Sequence, residues 1–119
     1  MRVRPRGERG MVSAEVAVAL PCVILLLAVV LAAVDLGVSQ VRCVDAARTG
    51  ARLLARAESL ADATSQIRAA APSESVVTVD SSERLVRVRV SAPIPPALAR
   101  IGIHDGPSAT AVALREVPW

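Results

Sequence analysis

Phenylalanine, tyrosine and lysine are absent from this sequence, and tryptophan occurs once, as Trp119. With a single aromatic side chain the sequence offers no platform for stacking bases and no cage for a cationic ligand. Histidine also occurs once, and cysteine twice, as Cys22 and Cys43. His104 and Asp105 stand side by side in the turn-like GIHDGP, with no nucleophile or third ligand at a recognisable spacing, and no glycine-rich phosphate loop occurs. The sequence therefore predicts no enzyme, no metal site and no cofactor.

Charge of one sign is scarce over most of the chain as well. The formal net charge is +3. Arg2, Arg4, Arg6 and Arg9 against Glu8 account for all of it, and beyond residue 10 the arginines and acids cancel. A nucleic-acid binder carries positive charge on its folded part, so nucleic acid is not an expected partner. All the basic residues are arginine, which reads as coding bias.

What the chain does have is a long uncharged run. Val16 to Val34 contains no charge and is interrupted only by Pro21 and Cys22 among aliphatic residues. As a helix it covers roughly 28 Å, close to the hydrocarbon thickness of a bilayer. Membrane lipid is thus an expected partner, and about 80 residues remain for anything folded in water, near the lower limit of self-sufficient stability. The basic head, MRVRPRGERG, predicts a single-pass protein of the cell membrane with its N-terminus cytoplasmic and its C-terminal part outside. On one continuous helix Cys22 and Cys43 stand roughly 31 Å apart, beyond disulfide reach. Cys43 is left with two readings, a bridge between chains or an inert small residue.

The expected organisation is a leader over 1–10, a transmembrane helix over 11–35, an amphipathic continuation over 36–70 and a strand-rich region over 71–119. Val41, Val44, Ala47, Ala51, Leu54 and Ala57 or Leu60 recur at three- and four-residue steps, which makes one apolar stripe. Arg48, Arg52 and Arg56 form a row on another face, read as a solvated one. AAAPSES stops the helix, because proline disfavours helix in the residue before it. Val86, Val88 and Val90 alternate with Arg87 and Arg89 as in a half-buried strand, and SVVTV joined to it by DSSE predicts a hairpin. APIPPALARIGIHDGP reads as a loop and Ala109–Val117 as a third strand. The expected class is α+β: one long N-terminal helix followed by a small antiparallel sheet of about three strands.

Glu15 stands at the mouth of the apolar run, where a carboxylate is costly: about 2.5 kcal/mol or more at a helix centre and less near an end. Together with Gly10 it acquires a meaning. RG-MVSAE-VAVALP resembles the processing site of type IV pilin-like proteins, which carry a basic leader ending in glycine, a cut after it and a glutamate at the fifth mature position. SAEVAVALPCVILLLAVVLAAVDLG (Ser13–Gly37) and VDAARTGARLLA (Val44–Ala55) resemble, more narrowly, TadE-like proteins, minor pilin-like components of tight-adherence pilus systems. The likeness covers residues 7–57. It implies a cut by a prepilin peptidase between Gly10 and Met11, and partnership with other pilin-like subunits and the pilus assembly machinery. It also implies that Glu15 pairs with the N-terminal amine of a neighbouring subunit and sets the axial register.

Glycine suits the cut because an extended backbone enters a protease cleft without a side-chain clash. Pairing offsets the desolvation of both charged groups, so a lone subunit is driven to assemble. Met11 stands where major pilins usually have phenylalanine, which bears on N-methylation. The four-strand head of the major pilins is not evident, which favours a minor or initiating subunit. Pro21 removes a donor from the membrane helix, read either as easing extraction from the bilayer or as a tolerated proline. Gly37 and the alanines allow neighbouring helices to approach closely.

Two other readings stand beside this one. Glu15 is also a favourable first-turn acid with Ser13 as a cap, which describes an uncleaved membrane anchor. VLAAVD also offers a cut after Ala32 or Ala33, which describes a small secreted protein.

Overall fold

The computed structural model describes residues 7–116. The elements are α1 (Gly7–Ala55), α2 (Leu60–Ala70), β1 (Val76–Ser81), β2 (Leu85–Ser91), α3 (Pro96–Arg100) and β3 (Ser108–Leu114). The class is α+β, a long N-terminal helix followed by a three-stranded antiparallel sheet of order β1-β2-β3. The chain divides into two compact units, residues up to Asp35 and residues from Leu36 onward. The stretch 117–119, with Trp119 and the predicted end of the third strand, lies outside the described residues, as do residues 1–6 of the expected leader.

The described residues of the first unit, from Gly7 to Asp35, are all helix. Its large apolar side chains from Met11 to Val34 are 50–69% exposed, so this part of α1 rests on its own helical hydrogen bonds. Leucine, alanine and the absence of an interior glycine from Met11 to Leu36 favour helix. Pro21 sits inside the helix, where it offers no N–H to the carbonyl of Ala17.

The second unit, the head, holds the core. Its part of α1 buries Cys43, Ala46, Ala47, Ala51 and Leu54 against Ala63 and Ile67 of α2 and Val86, Val88 and Val90 of β2. The stripe is rotated from the predicted one. Val41 is exposed and Val44 only half-buried, while Cys43, Ala46 and Gly50 are inside. Small residues win the centre because they let the helix backbone come close to its neighbours. A Cβ on Gly50 would collide with Ile67 and touch Val88. β2 is the middle strand and buries alternate valines, with Arg87 and Arg89 outward as predicted.

The predicted helix over 36–70 is broken. α1 ends at Ala55, where Ala57 N–H donates to Leu54 O at 3.2 Å and Glu58 N–H to Leu53 O at 3.1 Å. This paired closure needs a left-handed residue, normally glycine; here it is Ala57, at φ 63°. The sequence hides the stop because neither glycine nor proline marks it. α2 then starts on a readable cap, with Ser59 Oγ accepting from Asp62 N–H at 3.1 Å.

The predicted loop between the second and third strands contains α3. Pro96 opens it at the first helical position. Gly102, at φ 89°, closes it with the same two-bond pattern: Gly102 N–H to Ala99 O and Ile103 N–H to Leu98 O. The hairpin is in place, with β1 running two residues further than SVVTV, and β3 runs Ser108–Leu114.

Candidate functional site

The residues singled out at the N-terminal end lie along one surface of helix. Gly10 is helical and exposed, with nothing within 4 Å of where a Cβ would stand. Met11 is 69% exposed. Glu15 is exposed, one turn beyond Met11, and heads the uncharged run. By length and composition α1 is the one helix among those described that can cross a membrane, with a mean hydropathy of 3.0 in its most apolar window. Gly37, in the second unit, is exposed with open space where a side chain would go. The structure thus brings Gly10, Met11 and Glu15 together on one helix end. Gly10 stands in helix, and the extended form expected of a protease substrate requires the end of α1 to open.

The two cysteines divide. Cys22 is exposed and free, whereas Cys43 is buried and free. The Cys43 thiol donates to Pro107 O at 3.6 Å. Burial pushes its pKa up, partly offset by the main-chain amide of Ala92. Of its two sequence readings, the buried position is that of a small core residue. His104 and Asp105 are exposed in the loop after α3. Among the described residues no three His, Cys, Asp or Glu side chains gather to hold a metal.

Sequence reasoning missed the polar clasp in the head. The Gln40 carboxamide takes both main-chain groups of Ser108: Nε2 donates to Ser108 O at 2.9 Å and Oε1 accepts from Ser108 N–H at 3.0 Å. Those are the bonds a residue on an adjacent strand would make. Gln40, Val44 and Arg48, at one-turn spacing, then line a groove of about 480 Å³ beside Ser108–Val112. No motif announces this, since the partners are 68 residues apart in sequence. Nearby, Gly106 lies where a Cβ would stand 2.8 Å from Ala92 O and from Ile94 Cγ1, so the chain entering β3 is fixed by close packing.

Comparison with protein-family models, with curated proteins and with solved structures returns no match.

Proposed function

We propose that this chain is a membrane-anchored, minor pilin-like subunit of the TadE type, cut by a prepilin peptidase after Gly10 and used in assembling a Tad or type IV-like pilus or secretion apparatus. One observation carries the reading: Glu15 stands five residues after Gly10 on an exposed helix end, at the head of a run of exposed apolar side chains. A lipid bilayer or a bundle of like helices satisfies that surface. Only the bundle gives the carboxylate a partner, the amine released at Met11 of a neighbour. In this reading the head faces away from the cytoplasm and meets partner subunits or the assembly machine.

The helical state of Gly10 is compatible with cutting, since terminal turns open at little cost. A helix end that closed by tertiary packing would resist the protease; here the side chains from Gly10 onward are exposed. The chain acts as substrate and building block, and performs no reaction of its own.

The test is Glu15→Gln in the native host. The expected variant is cut and membrane-bound but fails to co-purify with other pilin-like subunits. Undiminished co-purification would remove the role given to Glu15, and a chain that neither is cut nor co-purifies in its native form would leave an uncleaved anchor.

A further inference from the structure

β3 ends at Leu114, and the chain then runs directly onto the end of α1. Arg115 N–H donates to Arg84 O at 2.9 Å, and Glu116 N–H donates to Ala55 O at 3.1 Å. Glu116 is thereby fixed beside the turn in which α1 stops, where Ala57 is left-handed. Val117, Pro118 and Trp119 follow at once, in a sequence that has no other tryptophan and no phenylalanine or tyrosine.

At this end of the head a pocket of about 250 Å³ opens between the α1–α2 turn and the sheet. Leu54, Leu60, Val79 and Val86 form its apolar walls, and Glu58, Ser81 and Arg115 complete the lining. Val86 and Leu54 are buried, which gives the pocket a dry floor. Leu60, the first residue of α2 after the Ser59 cap, is 59% exposed. An apolar group seated in the pocket would take Leu60 out of water.

We propose that this pocket receives the Trp119 indole of the same chain. An indole has an apolar body, one N–H that takes an acceptor when buried, and a ring face that attracts cations. The pocket meets each need: four aliphatic side chains for the body, the Glu58 carboxylate and Ser81 hydroxyl as acceptors, and the Arg115 guanidinium for the ring. The reach also fits. Arg115 lines the pocket and Glu116 is bonded to the neighbour of Leu54, so the segment starts at the rim. Three further residues span up to about 10 Å. Pro118 fixes its own φ and holds Val117 away from the helical region, so the link loses little freedom when the ring docks. The docked ring covers Leu60 and ties the end of β3 to the junction of α1 and α2. The proposal is independent of processing at Gly10, which belongs to the other unit.

The experiment is fluorescence of the full chain in detergent, where emission reports on residue 119 alone because the sequence has no other tryptophan and no tyrosine. Acrylamide tests access from water and a brominated detergent tests insertion into the micelle. Leu60→Glu places a charge in the pocket wall while keeping an acid at a helix start, where it is tolerated. Leu114→Glu alters the outer face of the sheet instead, where Leu114 is 73% exposed. The expected native emission lies to the blue of the guanidinium-unfolded chain, with weak acrylamide quenching and none by the brominated detergent. Leu60→Glu should move it to the red and raise acrylamide quenching, and Leu114→Glu should change neither. Emission at the unfolded position, quenching by the brominated detergent, indifference to Leu60→Glu, a response to Leu114→Glu or loss of the blue shift on dilution would each overturn the proposal. Trp119→Ala and Leu60→Ala, singly and together, give a second reading by thermal melts. Each should lower the Tm, and the pair should lose less than the sum because the two side chains share one contact; additive losses would overturn the docking as well.

Discussion

Gly50 offers the sharpest test of how the head is packed, because two opposed effects act on one methyl group. Replacing glycine by alanine inside a helix stabilises by roughly 0.5–1 kcal/mol through backbone entropy. At Gly37, where a Cβ meets nothing within 4 Å, that gain is realised in full. At Gly50 the new Cβ stands 2.5 Å from Ile67 Cγ1 and touches Val88 Cγ1 at 3.4 Å. Ile67 is itself fully buried, so it has no free space to move into, and overpacking of this kind costs about 1–3 kcal/mol. The clash wins. Gly50→Ala is expected to destabilise by about 0.5–2 kcal/mol net. For a head of this size each kcal/mol moves Tm by about 4–8 °C. Thermal melts of the full chain in detergent, followed by the sheet's circular dichroism, read the shift. Ile67→Val alone costs about 0.5–1.5 kcal/mol, yet added to Gly50→Ala it should cost less, because it removes Cδ1 from the collision. A Gly50→Ala head as stable as Gly37→Ala, or a double variant with simply additive losses, would refute the close helix approach.

The other expectations concern the break, the clasp and the thiol. Ala57→Gly should raise stability by about 0.5–1 kcal/mol, since it relieves a left-handed alanine at the end of α1, and the same melts would show a higher Tm. Gln40→Leu removes two exposed hydrogen bonds to Ser108, for a loss of about 1–2 kcal/mol; hydrogen exchange at the Ser108 amide should accelerate while that of Val88 does not. Cys43 should resist maleimide until the head unfolds. Its pKa is raised by burial above the ordinary 9.0, so its contribution to stability is complete below that value and declines as pH rises past it. A Cys43→Ala head should lack that alkaline decline relative to the native chain.

The sequence was legible where one property repeats along a single element. The apolar run from Val16 to Val34 and the valine–arginine alternation of β2 each declare their structure through period and charge alone. It was opaque where distant parts decide. The buried face of α1 centres on Cys43, Ala46 and Gly50 because Ile67 and Val88 come close there, and no period in α1 encodes that approach. The end of α1 at Ala55 escaped because alanine fills the position where glycine would have signalled a stop, whereas Gly102 fills the equivalent place after α3. That short helix was lost inside a segment whose prolines and glycines read as loop, although Pro96 and Gly102 are its start and stop signals. The Gln40 clasp joins residues far apart in sequence and leaves no local trace. The Gly10, Met11 and Glu15 spacing was readable from the start, and the structure adds that all three stand exposed on one helix.

The measurement closest to the central claim is the intact mass and N-terminal sequence of the protein taken from its native membrane. The pilin-like account predicts a chain that begins at Met11. A chain that retains Gly10 and the residues before it would contradict that account and leave a simple anchor, and one beginning near Ala33 would place Glu15 in a discarded signal.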